Sequence, residues 1–237
     1  MTTFVLVHGA WHGGWCWRDV ARRLRADGHE VFTPTLTGLG ERMHLQTPET
    51  GLSVHIQDII NAIEYENLRN VVLCGHSYGG MVITGVANLI PERLSALVYL
   101  DAFVPEDGDS VFSQMPPERP QQFRDDAKAN GDGWLMPAIS AEFFGITDPE
   151  KRNWVDDMCV PMAIHAFEEP IQLKGRQHEV QRKTYILAAD YKPSAFHAIY
   201  DRLRQNPDWQ THAMPCGHDV MAIMPDELAH ILVGVMR

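Results

Sequence analysis

Residues 71–80, VVLCGHSYGG, carry the pattern that decides the fold. The first four are apolar and partly β-branched, which is typical of a buried strand. The stretch then reads Gly-x-Ser-x-Gly, and Met81, Val82 and Val86 continue it with apolar residues at helical spacing. A serine on a sharp turn between a strand and a helix forms a nucleophile elbow, whereas a serine that merely caps a helix is the alternative. The segment predicts that Ser77 is a nucleophile.

Strand and helix patterns alternate along the rest of the chain. Short apolar runs predict strands at 4–7, 31–33, 71–74, 97–100 and 185–188. Amphipathic or apolar segments predict helices at roughly 16–26, 54–65, 78–89, 194–204 and 226–235. Strands that are apolar on both faces and separated by helices are typical of a parallel sheet covered by helices. The sequence therefore predicts an α/β fold with a mostly parallel central sheet flanked by helices.

A stretch rich in proline and aromatic residues interrupts this alternation from about residue 105 to 180. It contains no clear strand of a parallel sheet. We expect one domain over residues 1–237, with this stretch as a helical cap inserted over the carboxyl edge of the sheet. A second small domain or a surface for a partner is the alternative.

Composition narrows the classes of function. The formal net charge of −11 argues against nucleic-acid binding, which depends on clustered Lys and Arg. No apolar run approaches the roughly 18 residues of a membrane span, and the amino terminus has no basic, signal-like region. The four cysteines are dispersed, and the twelve histidines form no H-E-x-x-H motif. We expect a cytoplasmic protein with reduced cysteines, no metal, no membrane partner and no nucleic-acid partner.

A serine nucleophile needs a base and an acid that orients it. His218 lies in a short loop before the last predicted helix, where this kind of fold presents its base, and we predict that it activates Ser77. Asp190 directly follows the strand pattern at 185–188, and loops at the carboxyl ends of parallel strands carry the chemistry. We predict that Asp190 is the acid. Asp101, at the end of the preceding strand, is the competitor.

The loop after the first strand, HGAWHGGW at residues 8–15, predicts the remaining parts of the site. An oxyanion hole requires two backbone donors. We expect one from Tyr78, the residue after the nucleophile, and the other from Ala10. Trp11 and His12 in the same loop are the predicted substrate contacts. The glycines here do not form G-x-G-x-x-G or G-K-[ST], so a phosphate cradle and a nucleotide cofactor are not expected.

Four segments carry a family resemblance: FVLVHGAWHGGWCW at 4–17, GHSYGGM at 75–81, LDAFVP at 100–105 and CGHD at 216–219. They resemble the plant methylesterase and hydroxynitrile lyase group and its bacterial small-esterase relatives, including carbendazim-hydrolysing esterases. The resemblance implies the α/β-hydrolase fold, a helical cap, a cofactor-free Ser–His–Asp mechanism and often a homodimer. It places the nucleophile on Ser77, the base on His218, and the oxyanion donors on Ala10 and Tyr78. The acid falls on Asp190, in a loop that is one residue shorter here.

Two departures from the resemblance bear on the reaction. The cyanohydrin-cleaving members carry a threonine where this chain has Gly9, and a lysine where it has Asp219. That lysine supplies positive charge for the cyanide leaving group, which an aspartate cannot do. We therefore expect a serine hydrolase that cleaves small carboxylic esters, or carbamates, through an acyl-enzyme. Lyase chemistry on the same triad and a receptor with little turnover are the alternatives.

Overall fold

A parallel sheet of six strands forms the centre of the computed structural model, which describes residues 1–192 and 195–236. The strands are β1 (Thr3–Val7), β2 (Glu30–Phe32), β3 (Val71–His76), β4 (Leu94–Leu100), β7 (Arg182–Ala188) and β8 (Trp209–Met214), with β5 and β6 lying in the segment between β4 and β7. Their order across the sheet is β2-β1-β3-β4-β7-β8. Every neighbouring pair in the described sheet runs parallel, which confirms the predicted fold class.

Helices cover both faces of this sheet, and further helices lie in the segment between β4 and β7. In chain order the helices are α1 (Arg18–Ala26), α2 (Leu52–Tyr65), α3 (Gly79–Leu89), α4 (Glu118–Asn130), α5 (Pro149–Met158), α6 (His165–Glu168), α7 (Ala195–Leu203), α8 (Val220–Ile223) and α9 (Pro225–Gly234). Within the described ranges, no helix is both long and apolar enough to span a membrane.

Two apolar cores lie on opposite faces of the sheet because successive side chains of a strand point to opposite sides. In β1, Phe4 and Leu6 join the core with α1, α8 and α9. Val5 and Val7 join the other core, with α2, α3 and α7. The inner strands β1, β3, β4 and β7 are therefore buried on both faces, which explains their unbroken apolar runs in the sequence.

The segment between β4 and β7 contributes no strand to the central sheet, although these two strands are neighbours in it. It contains α4, α5 and α6 together with a short antiparallel pair, β5 (Leu135–Met136) and β6 (Met162–Ala163). It is tied to the loop after β1, since the Trp11 indole donates to the Met136 carbonyl (3.2 Å) and Val160 N–H donates to the Trp11 carbonyl (2.9 Å). We call this segment the cap.

Some element boundaries differ from the sequence-based prediction. Strand β8 was not predicted, because it is an edge strand with largely polar, solvent-facing residues and lacks the apolar run used to recognise strands. The first helix begins at Arg18, after a turn of 3-10 helix at Gly14–Trp17. In the predicted helix at 194–204, residue 194 lies outside the described residues, and the described helix is Ala195–Leu203.

Candidate active site

Ser77 lies on the turn between β3 and α3 in a left-handed backbone conformation, with φ of +56°. Such a conformation costs a non-glycine residue about 1–3 kcal/mol and persists only where the surroundings enforce it. Here Ser77 N–H donates to the Leu100 carbonyl (3.2 Å), and the Ser77 carbonyl accepts from Gly80 (3.0 Å) and Phe103 (3.2 Å). The serine is thus held on a strained turn at the carboxyl edge of the sheet.

The glycines around Ser77 permit this turn by close backbone approach. A Cβ atom on Gly75 would lie 2.5 Å from the carbonyl oxygen of Gly79. A Cβ on Gly79 would lie 2.9 Å from the carbonyl oxygens of Val7 and His8, and one on Gly80 would lie 2.1 Å from a neighbouring carbonyl oxygen in the loop after β4. Real Cβ contacts are not this short, so the G-x-S-x-G-G pattern follows from the geometry of the turn.

His218 lies in the loop after β8 and pairs with the carboxylate of Asp101. Its Nδ1 is 2.6 Å from Asp101 Oδ2, while Asp101 Oδ1 accepts the Ala188 N–H (3.1 Å). The loop is held by hydrogen bonds from His218 N–H to Phe144 O (2.7 Å) and from His76 Nε2 to the His218 carbonyl (3.0 Å). A carboxylate at Nδ1 selects the tautomer with a proton there and leaves the Nε2 lone pair free to act as a base.

The structure pairs His218 with Asp101 and not with Asp190, the acid predicted from sequence. Asp190 is exposed, and its N–H donates to the Cys216 carbonyl (3.1 Å). The reason is the register of the two neighbouring strands, in which Leu100 is aligned with Ile186. Asp101 therefore lies level with the end of β7, whereas Asp190 lies beyond it. The competing assignment is the one that the geometry supports.

Aromatic rings pack around the His218 imidazole. Phe196 is nearly parallel to it, with ring centroids 5.3 Å apart and an interplanar angle of 2°. Tyr191 stacks at 4.6 Å and 24°, and Phe144 lies at 5.7 Å. These contacts restrict rotation of the ring. Sequence reasoning did not assign them, since an isolated aromatic residue in a loop carries no signal of its stacking partner.

The two predicted oxyanion donors come from different parts of the chain: Tyr78 is the residue after Ser77, and Ala10 lies in the loop after β1. Tyr78 immediately precedes α3, where the helix dipole favours negative charge. Ala10 follows Gly9, and a Cβ on Gly9 would lie 2.9 Å from Ser77 Cβ, so the loop after β1 passes directly against the serine. Within the described parts of the chain, neither Tyr78 N–H nor Ala10 N–H has a hydrogen-bond acceptor. The two amides are therefore the candidate donors to a substrate oxygen.

Trp11 belongs to an aromatic cluster that connects the loop after β1 to the cap. Its ring centroid is 6.2 Å from that of Phe123, 6.2 Å from that of Phe144 and 5.8 Å from that of Phe167. Phe167 in turn stacks on Tyr78 at 5.7 Å. The cluster gives the site an apolar, aromatic surrounding.

His12 is placed differently from the expected substrate contact. It is only 2% exposed, and both ring nitrogens have protein partners: Nδ1 lies 2.7 Å from Ala10 O, and Nε2 lies 3.1 Å from Asp219 Oδ2. No ring nitrogen is left for a substrate, so the predicted contact through His12 is not supported. The pairing of His12 with Asp219 has no signal in the sequence, because 207 residues separate them.

Burial shifts the pKa of several histidines near the site. It lowers the pKa of His8 to about 3 and holds the pKa of His76 well below 6.5, where the nearby His218 adds to the effect. His12 behaves oppositely. Burial would lower its pKa, but the Asp219 carboxylate outweighs burial and raises the pKa of His12 well above 6.5. The site thus contains neutral histidines beside one charged pair.

Comparison with known proteins agrees with this architecture. A model described as the alpha/beta hydrolase family matches residues 4–231. The chain belongs to the alpha/beta hydrolase family. The strand-turn-helix around Ser77 has the form of the elbow described for this fold.

Among curated alpha/beta hydrolases, the chain is 48% identical over 242 residues to the carbendazim hydrolyzing esterase of Nocardioides sp. (strain SG-4G), covering 99% of this chain and 100% of that protein. It is 36% identical over 170 residues to methylesterase 10 of Arabidopsis thaliana, covering 68% of this chain and 62% of the plant protein. Both relatives agree with the resemblance seen in the sequence.

Solved alpha/beta hydrolase structures superpose over nearly the whole chain. One is an extracellular alpha/beta-hydrolase from a Paenibacillus species, described as sharing structural and functional homology with tobacco salicylic acid binding protein 2 (TM-score 0.86, 25% identity, 99% of both chains). Another is methylketone synthase I from tomato (TM-score 0.81, 21% identity, 99% of this chain and 97% of that one). At that identity the second likeness concerns the fold alone.

Proposed function

We propose that the protein hydrolyses small carboxylic esters through a Ser77–His218–Asp101 triad. The observation that carries this proposal is the buried pairing of His218 Nδ1 with Asp101 Oδ2 at 2.6 Å, at the sheet edge where the elbow presents Ser77. The similarity to a carbendazim hydrolyzing esterase over essentially the whole chain supports the same reaction class.

The mechanism has two acyl-transfer steps. As Ser77 Oγ attacks the ester carbonyl carbon, its proton passes to His218 Nε2. The tetrahedral intermediate then loses the alcohol, which takes the proton from His218, and the acyl group stays on Ser77. Water attacks the acyl carbon and gives its proton to His218, and Ser77 leaves with that proton as the acid product departs. Asp101 stays ionised and stabilises the imidazolium in both steps.

The Tyr78 and Ala10 amides stabilise the negative oxygen formed in each step. Both N–H groups lack protein acceptors among the described residues, and both adjoin Ser77 through the elbow and through Gly9. Donors that are already oriented stabilise the transition state without reorganisation, and one such donor contributes about 10²- to 10³-fold in kcat. Side chains and backbone amides therefore supply the groups that these steps need.

The substrate that fits this site is an ester or carbamate with an apolar or aromatic group. The cluster of Trp11, Phe123, Phe144 and Phe167 supplies apolar walls beside His218. Pockets for small molecules combine such walls with a few polar anchors. We expect aromatic and medium-chain acyl or alkyl groups to be preferred over charged ones.

Cyanohydrin cleavage fits the site less well. It needs a positive charge near the leaving cyanide, and position 219 holds a fully buried carboxylate that is paired with His12. The threonine of the cyanohydrin-cleaving enzymes would also have to replace Gly9, whose Cβ position is 2.9 Å from Ser77 Cβ. Hydrolysis is the better assignment for both reasons.

Substitution of the nucleophile tests the proposal. Wild-type protein and Ser77→Ala are compared on p-nitrophenyl acetate, butyrate and benzoate and on a methyl carbamate, and by labelling with a fluorophosphonate probe. We expect the variant to lose at least about 10⁴-fold in kcat and all labelling. Equal turnover by the variant would refute the serine mechanism. Labelling of Ser77 without measurable turnover on any substrate would instead favour the receptor alternative.

Two further expectations stay predictions. The cytoplasmic location and the homodimer rest on the sequence and its resemblance to esterases. Size-exclusion chromatography with light scattering measures the oligomeric state directly.

A further inference from the structure

Both ring nitrogens of His12 make hydrogen bonds within the protein. Its Nδ1 faces the carbonyl oxygen of Ala10 at 2.7 Å, and its Nε2 faces a carboxylate oxygen of Asp219 at 3.1 Å. A carbonyl and an ionised carboxylate are acceptors only, and a neutral imidazole has a single N–H. Two donors on the ring require an imidazolium. His12 and Asp219 therefore form a buried ion pair beside the candidate active site, with exposed fractions of 2% and 0%.

His12 and Asp219 each favour the charged form of the other, and few other titratable groups lie close to them among the described residues. Burial opposes charge on both residues, but each one's charge favours the other's, so the pKa of His12 is raised and that of Asp219 is lowered. Cys159, from the cap, lies with its Sγ 3.9 Å from His12 Nε2, and His76 Nε2 lies 3.9 Å from Asp219 Oδ1. His8, after β1, is buried, and its pKa is lowered to about 3. Among these neighbours, Asp219 is the carboxylate that hydrogen-bonds His12.

The carbonyl that His12 binds belongs to a strained part of the loop. Trp11, the next residue, has φ of +64°, which is unusual for a bulky side chain. Its own carbonyl and indole are held by Val160 (2.9 Å) and Met136 (3.2 Å) of the cap. On the other side of Trp11, the hydrogen bond from His12 to the Ala10 carbonyl holds the chain, and we call this hydrogen bond the clamp. A conformation of this kind persists only while its surroundings enforce it.

The same residue, Ala10, carries the amide that the proposed mechanism uses. Its carbonyl is fixed by His12, and its N–H has no acceptor among the residues that the structure describes. The N–H belongs to the Gly9–Ala10 peptide, whose carbonyl oxygen lies 2.8 Å from His8 Nδ1, whereas the carbonyl that His12 binds belongs to the Ala10–Trp11 peptide. The His12 hydrogen bond therefore acts on the Ala10 N–H by restricting the backbone torsion angles of Ala10 that join the two peptides. The His12–Asp219 pair is therefore placed to keep one oxyanion donor oriented, without touching the substrate.

We propose that His12 is a positioning residue, itself held by Asp219, that orients the Ala10 N–H toward the oxyanion. This inference rests on the proposed hydrolytic function. It assigns Asp219 a role in support of catalysis that is separate from the triad acid. The contribution is made in the transition state, so it falls on kcat and leaves KM nearly unchanged.

Three variants test the proposal on a p-nitrophenyl ester. His12→Phe removes the donor to the Ala10 carbonyl, and we expect kcat to fall about 10²-fold with KM changed by less than about threefold. In Asp219→Asn a neutral His12 accepts from the asparagine amide and still donates to Ala10, so kcat stays within about fivefold of wild type. Cys159→Ala, the matched control, removes a neighbour that the clamp does not use and leaves kcat within about twofold. Equal kcat for His12→Phe and wild type would overturn the proposal, as would equal losses for His12→Phe and Asp219→Asn.

A spectroscopic readout is independent of turnover. In protein labelled with ¹⁵N-histidine, the His12 signals are assigned by their loss in His12→Gln, and we expect both ring nitrogens to carry protons at pH 8. In Asp219→Asn one nitrogen is expected to be unprotonated at the same pH. An unprotonated His12 nitrogen in the wild type at pH 7 would refute the ion pair. This result stands even if Ser77→Ala retains activity, so failure of the clamp and failure of the hydrolase proposal are distinguishable.

Discussion

His218 Nδ1 lies 2.6 Å from Asp101 Oδ2, and both side chains are buried. Asp101 directly follows β4, and Ser77 directly follows β3. These two strands are neighbours in the sheet, so the carboxylate lies at the same edge as the serine. The other carboxylate oxygen accepts the Ala188 N–H (3.1 Å), which fixes the carboxylate against β7. The imidazole is thereby held in one orientation by groups from two strands.

The first prediction separates the two candidate acids. Asp101→Asn keeps the shape but favours the wrong imidazole tautomer, and we expect kcat on a p-nitrophenyl ester to fall about 10³- to 10⁴-fold. Asp190→Asn is the matched control. Because Asp190 is exposed and makes its described hydrogen bond through its backbone, we expect kcat within about twofold of wild type. The reverse ranking would return the acid to position 190.

The second prediction concerns Gly9. A methyl group there would lie 2.9 Å from Ser77 Cβ and 3.0 Å from His76 Nδ1, so the loop or the elbow must move. We expect Gly9→Ala to lower kcat at least about tenfold and to reduce the free energy of unfolding by about 1–3 kcal/mol. Gly234→Ala, where nothing lies within 4 Å of the added atom, is the control, with kcat unchanged. Steady-state kinetics and urea unfolding measure both effects.

The third prediction concerns backbone strain at Ser77. Ser77 has φ of +56°, a region that glycine adopts without steric cost and alanine does not. Both Ser77→Gly and Ser77→Ala abolish the proposed chemistry, but we expect the glycine variant to be more stable by about 1 kcal/mol. Urea denaturation of the two variants measures the difference. Equal stabilities would show that the elbow is not strained.

The fourth prediction concerns acid stability. His8 is neutral when buried, since its Nε2 accepts the Leu36 N–H (3.0 Å) and its Nδ1 lies 2.8 Å from Gly9 O. Burial lowers its pKa from 6.5 to about 3, so the unfolded state binds more protons between these values. The contribution of His8 to stability is complete above pH 6.5. As the pH falls from 6.5 toward 3, that contribution is lost at up to about 1.4 kcal/mol per pH unit.

His8→Gln tests this assignment against the other buried histidines. The variant loses stability at every pH, but we expect its free energy of unfolding to fall less steeply than that of wild type between pH 6 and pH 4. Urea unfolding at several pH values measures both slopes. Parallel slopes would mean that His8 is not the group responsible.

Much of the fold followed from local pattern. The inner strands could be predicted because burial on both faces leaves continuous apolar runs. The gap between two such runs also showed where the segment between β4 and β7 is inserted. Strand β8 was not predicted because it lies at an edge of the sheet and its outward residues are polar. The cap was expected to be helical, and its β5–β6 pair of two residues each is too short to leave a pattern.

The sequence by itself determined the strand-turn-helix at Ser77 and the α/β class, because each depends on residues close together in the chain. Only the tertiary structure decided which carboxylate meets His218, since that depends on the register between β4 and β7. It also decided that His12 lies against Asp219 and Ala10 and has no ring nitrogen free for a substrate. Contacts across 117 and 207 residues of sequence leave no periodicity to read, and they exist only once the sheet has brought the loops together.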